Sequence, residues 1–265
     1  MSAAPLFTLK FHTGDCRLYH GDCIKVMHTF AAECVDFIFA DPPYFLSGGG
    51  STCHGGKRTS VDKGKWDTSR GMKEVHAFNL DWLRACRRIL KPCGTIMVSG
   101  TMHNIFSVGY AMQVLGFKLL NDIVWYKVNP PPNLGCRCFV HSTETIIWAT
   151  RDIPAKNRGS GKYYFNYAGM KELNGGKQMQ SLWRILPPRK AEKRHGKHPT
   201  QKPLELLERI ILGCVPPGGL VLDPFNGSGT TGVAVARLGE SRSYIGIDMD
   251  VTYLERSVQR LYDFV

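Results

Sequence analysis

The chain of 265 residues is 43% hydrophobic and 21% charged, ordinary globular composition with enough apolar sequence for a sizeable core. Lys and Arg total 34 against 22 acidic residues, a formal net charge of +12, which suits either a polyanionic partner or a merely basic soluble protein. The nine cysteines are odd in number and scattered, which argues against a disulfide framework; no apolar run approaches the ~18 residues of a membrane span, and the N-terminus lacks a secretory layout, so a soluble intracellular protein is expected.

The first clear element is the apolar run Val35 to Ala40, a buried strand that stops at Asp41-Pro42-Pro43-Tyr44, where the prolines remove backbone donors. Residues 46–66 are rich in glycine and polar side chains and predict a long loop. Helical spacing runs from Glu74 to Leu90 and is closed by Lys91-Pro92-Cys93-Gly94. Thr95 to Ser99 follows as a strand, Ile105 to Leu115 as a helix, and Phe117 to Trp125 as a strand. Pro130-Pro131-Pro132 breaks the pattern before a strand over Glu144 to Ala149. Cys136-Arg137-Cys138 with His141 matches no common zinc spacing, so no metal is expected. After a basic stretch, a helix over Pro203 to Cys214 leads to a strand at Leu220 to Leu222. A glycine-rich turn, a helix to about Leu238, a strand over Ser243 to Asp248 and a helix over Thr252 to Leu261 complete the chain. Strands alternating with helices predict an α/β fold with a doubly wound, mostly parallel sheet.

Two motifs carry chemistry. Asp223-Pro224-Phe225-Asn226-Gly227-Ser228-Gly229-Thr230-Thr231 lies between a strand and a helix, where glycines let backbone approach a ligand. Asp248, at the end of the next strand, is placed to take ribose hydroxyls. The turn opens on an acid and departs from G-x-G-x-x-G, favouring a nucleoside cofactor without a pyrophosphate. The second motif is Asp41-Pro42-Pro43-Tyr44. An exocyclic amine conjugated to its ring is a poor nucleophile. The Asp41 carboxylate and the Pro42 carbonyl are acceptors that can draw its lone pair out of conjugation for in-line attack on a methyl sulfonium. Tyr44 offers a ring against which an extruded base can stack. The motifs stand about 180 residues apart, yet both sit at the carboxyl ends of strands, where such sheets bind ligands.

With both motifs in place, the chain resembles the β group of bacterial DNA amino-methyltransferases from restriction–modification systems, in which the catalytic tetrapeptide precedes the cofactor turn. The resemblance spans Cys16 to Leu261 and implies a Rossmann-like methyltransferase fold, S-adenosyl-L-methionine as cofactor, and cytoplasmic action on DNA. His198-Pro199-Thr200-Gln201-Lys202-Pro203 looks like that group's cofactor lead-in, so Thr200 and Lys202 are expected at the methionine end of the cofactor. Gly21-Asp22-Cys23 looks like its short acidic motif, placing Asp22 near the cofactor adenine, although a plain turn fits nearly as well. The stretches FADPPYFLS, SVDKGKWD, HSTETIIWA and KELNGGKQM resemble most the second methyltransferases of Dpn-type systems, which act on single-stranded as well as duplex DNA. That implies adenine N6 in GATC as the target.

By this reading residues 1–150 form the catalytic half, 151–197 a basic recognition segment, and 198–265 the cofactor half. Residues 151–197 hold twelve Lys and Arg, among them Arg151, Lys156, Arg158, Lys171, Arg184 and Arg194, interleaved with Tyr163, Tyr164, Phe165, Tyr167 and Trp183. That mixture suits a DNA-tracking surface; the plainer reading makes the aromatics core. Trp125 stands at a place where it either flanks a flipped base or belongs to the core, and the loop with Lys57, Arg58, Lys63 and Lys65 either closes over DNA or is a solvated loop. Cytosine N4 methylation needs the same geometry, although that group more often has Ser at the first catalytic place. RNA or protein amide methylation and a non-catalytic DNA-binding module are the more distant alternatives. Monomer and homodimer fit the sequence equally.

Overall fold

The computed structural model describes residues 3–11, 13–45, 51–54, 57–60, 71–151, 163–196 and 198–264. The elements follow in chain order: β1 (Phe7–Lys10), β2 (Asp15–His20), α1 (Cys23–His28), β3 (Val35–Ala40), β4 (Ser51–His54), β5 (Lys57–Ser60), α2 (Met72–Ile89), β6 (Leu90–Gly100), α3 (Ile105–Val114), β7 (Lys118–Tyr126) and β8 (Thr143–Thr150). Then come α4 (Tyr167–Leu173), β9 (Leu182–Arg184), α5 (Leu204–Cys214), β10 (Leu220–Asp223), α6 (Thr230–Leu238), β11 (Ser243–Asp248) and α7 (Val251–Leu261).

Nine strands form one sheet in the order β1-β2-β11-β10-β3-β6-β8-β7-β9, and β4 pairs separately with β5. The strands β2, β11, β10, β3 and β6 are mutually parallel. At one side β8 runs antiparallel to both β6 and β7, and at the other β1 runs antiparallel to β2. The mostly parallel, doubly wound sheet expected from the sequence is thus the architecture found.

The period of two along each strand divides the core between the sheet's faces. Phe37 and Phe39 of β3, Met97 of β6, Val221 of β10 and Tyr244 of β11 pack on the face covered by α5, α6 and α7, where Leu206, Ile210, Val233 and Leu254 are buried. Ile38, Ala40, Ile96, Val98, Leu222 and Ile245 face the other way, against Met27 of α1, Trp82, Leu83 and Cys86 of α2, and Val108 and Met112 of α3. Each fully buried aliphatic or Phe side chain of this kind contributes about 1.5–3 kcal/mol.

Three local departures from the sequence reading stand out. The strands β1 and β2 and the helix α1, absent from the expected elements, flank β11 at the cofactor side. Within the stretch expected as one long loop, Ser51–His54 and Lys57–Ser60 pair as an antiparallel hairpin, while Lys63 and Lys65 lie outside the described residues. The basic segment is built into the domain: β9 pairs with β7, α4 packs on α5, and Trp183 and Ile185 lie in the core. Phe165 and Tyr167 remain exposed, whereas Lys156, Arg158 and Lys162 fall outside the described residues.

Candidate active site

Because β3 and β10 are neighbours, with Ile38 opposite Leu222, the turn after β3 and the turn after β10 open side by side at the carboxyl edge of the sheet. Between them lies a cleft of about 810 Å³, within the ~300–1,000 Å³ usual for small-molecule sites. Asp41, Pro42, Pro43 and Tyr44 line one end; Asp22, Thr200, Phe225, Gly227 and Asp248 line the rest, with Phe45, Phe78, His198 and Tyr253.

The Asp41 carboxylate is held by three donors. Oδ1 accepts from the Tyr44 hydroxyl at 2.7 Å and the Ser99 hydroxyl at 2.5 Å, while Oδ2 accepts from Lys202 Nζ at 2.5 Å. Ser99 arrives there through strand register, since β3 pairs with β6 with Ala40 opposite Val98. Lys202, only 6% exposed, also faces Glu144 Oε2 at 3.4 Å, and Lys127 Nζ reaches Glu144 Oε1 at 2.5 Å. Four charged side chains thus alternate in sign from the cleft outward: Asp41, Lys202, Glu144, Lys127. Burial alone would push the Lys202 pKa down, but the Asp41 and Glu144 carboxylates reverse this and raise it. Burial likewise pushes Glu144 up, yet the ammoniums of Lys202 and Lys127 outweigh it and hold its carboxyl below the usual range. Burial, reinforced by the two carboxylates, pushes the Tyr44 phenol well up, so it stays a neutral donor.

Asn104 Nδ2 donates to the Pro43 carbonyl at 3.3 Å, and Asn79 Nδ2 donates to Asn104 Oδ1 at 3.0 Å, tying the catalytic turn to α2. Trp125 is 4% exposed and donates through Nε1 to the Ile185 carbonyl, so it belongs to the core.

The glycine-rich turn presents two kinds of residue. Phe225 and Gly227 front the cleft. Asp223, Asn226, Ser228, Gly229 and Thr230 brace it from behind. Asp223 accepts from the Phe225 amide and the Thr231 hydroxyl, and Asn226 Nδ2 donates to the Gly227 carbonyl. Arg260 Nη1 donates to Ser228 and Thr230 oxygens. Gly229 is in the left-handed region at φ +72°, and a Cβ there would come within 2.7 Å of Ser257 Oγ, so only glycine lets this turn pack on α7. Burial pushes Asp223 up to about 7, against its hydrogen bonds from Thr231 and Phe225.

Asp248 Oδ2 accepts from the Gly227 amide at 2.6 Å and Oδ1 from the Asp250 amide at 2.9 Å; burial still pushes it up to about 6. Asp22 accepts from the Lys25 amide as the N-cap of α1 and also lines the cleft. The Thr200 hydroxyl lies 3.3 Å from His198 Nδ1. Lys202, expected at the methionine end of the cofactor, has its ammonium on the Asp41 carboxylate and is not itself among the cleft's lining residues.

The donor set fits a cationic nucleoside. Four carboxylates (Asp22, Asp41, Asp248 and Asp250) line the cleft, while no Lys or Arg among the described residues does, in a chain of net charge +12. His198 does not oppose a cation either, because burial pushes it down to about 4 despite the nearby Asp41 carboxylate. A sulfonium is at home among these groups and a pyrophosphate is not. S-adenosylmethionine supplies an electrophilic methyl group when bound; of the residues lining the cleft, Asp22 and Asp248 would accept from its polar groups and Phe225 would pack on it.

Ser99, Glu144, Lys127, Asn104 and His198 escaped the sequence reading as site residues. Glu144 carried a signal, being a carboxylate at the head of a strand whose remaining residues are Thr, Ile, Trp and Ala. Among the described residues no cluster of metal-ligating side chains occurs, and no helix is long and apolar enough to cross a membrane.

Comparison with known proteins agrees with this geometry. A family model described as DNA methylase matches residues 35–259. The Type II methyltransferase M2.DpnII of Streptococcus pneumoniae is 52% identical over 244 residues, covering 92% of this chain and 88% of that protein. M2.MboI of Moraxella bovis is 47% identical over 246 residues, covering 93% and 87%. Among solved structures, the M1.HpyAVI–SAM complex superposes with a TM-score of 0.65 at 26% identity, covering 93% of this chain and 99% of that one. The cytosine-N4-specific PvuII DNA methyltransferase shares the fold, with a TM-score of 0.73 at 21% identity, covering 97% and 89%. The chain belongs to the DNA methylase family and is an S-adenosylmethionine-dependent DNA methyltransferase.

Proposed function

We propose that the protein methylates the N6 amino group of adenine, in GATC, on a base turned out of the DNA stack into the cleft. The observation that carries the reading is a half-buried carboxylate, Asp41, fixed by a buried lysine at one end of a cleft lined by acids and aromatics. Asp41 and the Pro42 carbonyl accept the two amine hydrogens, and the lone pair is freed to attack the methyl group in line. Lys202, Tyr44 and Ser99 fix the carboxylate before the base arrives, so little reorganisation remains for the reacting step. Pro43 is held by Asn104, which leaves the preceding carbonyl in a set direction. The aspartate at the first catalytic place and the Dpn-type resemblance support adenine over cytosine and GATC over other sites. The basic segment 151–197, with Phe165 and Tyr167 exposed, is the proposed contact to DNA outside the target base.

The test is mass spectrometry of nucleosides from a GATC-containing duplex incubated with the protein and isotope-labelled S-adenosylmethionine. Label is expected in N6-methyladenine and in nothing else. Label in N4-methylcytosine overturns the choice of base. Asp41→Ala should abolish transfer while keeping cofactor binding; full residual activity removes Asp41 from its catalytic role.

A further inference from the structure

The connection between β7 and β8, residues 127–142, carries the most exposed large apolar side chain among the described residues: Phe139, 96% accessible. An isolated exposed phenylalanine on a loose loop means little, but this connection is built. Pro130, Pro131 and Pro132 fix three successive φ angles on its ascending limb. Asn133 then closes the tip on itself. Its Oδ1 accepts from the Gly135 amide at 3.0 Å, and its Nδ2 donates to the Cys138 carbonyl at 2.9 Å. The carbonyl one residue before Phe139 is therefore tied down, and the ring is held out from a braced turn.

The root of the connection is fastened to the catalytic centre. Lys127 donates its amide to the Ser142 carbonyl across the neck at 2.7 Å, and its ammonium heads the chain of ion pairs that runs through Glu144 and Lys202 to Asp41. On the descending limb, His141 lies with its ring 6.5 Å from that of His103, in the turn that positions Asn104 on Pro43. The exposed Arg137 gives the tip a positive charge beside the ring. A rigid arm rooted at the catalytic carboxylate and ending in an aromatic ring next to a cation matches a nucleic acid, whose phosphates attract the cation and whose opened stack admits the ring.

We propose that Phe139 is a wedge that enters the base stack of duplex DNA beside the target nucleotide, holding open the gap left when the base turns into the cleft, with Arg137 on the adjoining phosphate. This rests on the proposed extrusion of the target base. The ring lowers the cost of unstacking the target and does not touch the reacting atoms.

The experiment compares wild type, Phe139→Ala and Phe139→Trp on two synthetic duplexes, each with one GATC. In the first the target adenine is normally paired; in the second it faces an abasic site, which leaves it already poorly held. On the paired duplex Phe139→Ala should methylate roughly tenfold to a hundredfold more slowly than wild type, the range of a lost base–aromatic stack, while Phe139→Trp stays close to wild type. On the abasic duplex Phe139→Ala should recover to within a few-fold of wild type, with unchanged cofactor affinity throughout. Wild-type rates for Phe139→Ala on the paired duplex overturn the wedge. An equal loss on both duplexes also overturns it, because that is the mark of a packing role or a protein–protein contact. A wild-type enzyme that leaves adenine unmethylated in both duplexes refutes the proposed function, and the wedge with it.

Discussion

Lys202→Met removes the buried ammonium shared by the half-buried Asp41 and the buried Glu144 carboxylates at nearly constant side-chain volume. Asp41 Oδ2 loses its 2.5 Å partner and Glu144 Oε2 its 3.4 Å partner. Deleting one member of a buried ion pair costs about 3–5 kcal/mol, mostly because the remaining charge is stranded. Asp41 keeps the Tyr44 and Ser99 hydroxyls and Glu144 keeps Lys127, so the lower end, about 3 kcal/mol, is expected. For a chain of this size that corresponds to a fall in Tm of about 6–12 °C at pH 7. The pH dependence carries a second signature. Glu144 is held below its ordinary value, so its contribution is present above the unfolded carboxylate range and is lost as pH falls through the depressed folded value. Lys202 is held above its ordinary value, so its contribution is present below that value and is lost only when pH rises through the raised one. The wild-type network is therefore at full strength between about pH 5 and pH 10. In Lys202→Met the Glu144 carboxyl, left with Lys127 alone, takes up a proton more readily, and the gap in Tm should narrow below about pH 5. Thermal melts of both proteins from about pH 4 to pH 8 measure this. A variant that melts within about 1 °C of wild type at pH 7, or a gap that does not change with pH, refutes the account of Lys202 as the shared counter-ion.

Asp248→Ala should weaken S-adenosylmethionine binding roughly 10- to 150-fold in calorimetry, the worth of hydrogen bonds to a charged group, with Asp248→Asn in between; an unchanged dissociation constant takes Asp248 out of the site. Asp223→Asn should change the pH dependence of stability. The folded Asp223 carboxyl is raised to about 7, so its contribution is fully present at low pH and is lost as pH rises through about 4 to 7. Urea denaturation should therefore show Asp223→Asn gaining on wild type across that window, and a constant difference would count against the buried, proton-holding carboxyl.

How much of this was legible in the sequence depended on how local the cause was. The strand Val35–Ala40 and the helix Ile105–Val114 were readable because their apolar pattern and their stop signals lie within one short window. The strand β9 has three residues and exists only because β7 offers an edge, so no local pattern announced it. The catalytic tetrapeptide and the glycine-rich turn were visible because each is one contiguous run. The partners of Asp41 and of Lys202 were not, since Ser99 and Glu144 reach them through the register of β6 and β8, and register is a property of pairing. Lys202 was visible as a residue but its partner was not: the run HPTQKP fixes where the chain passes, and only the packed sheet decides that its ammonium meets the Asp41 carboxylate. Trp125 shows the reverse case, an aromatic whose identity left two roles open until burial assigned it to the core.

The strand order also constrains how the molecule comes into being. The central strands β10 and β11 are made after the other strands of this sheet, yet β10 lies between β11 and β3, and β11 is the strand through which the β1–β2 pair joins the sheet. Until β10 is made β3 has one unpaired edge, and until β11 is made the N-terminal hairpin has no partner in the main sheet. Such distant pairings form late, because loop-closure entropy must be met before any of their contacts form. The Asp41 carboxylate and the glycine-rich turn therefore come together in the same closing step. A partly synthesised chain, however basic, holds no complete cleft with which to modify the DNA it meets.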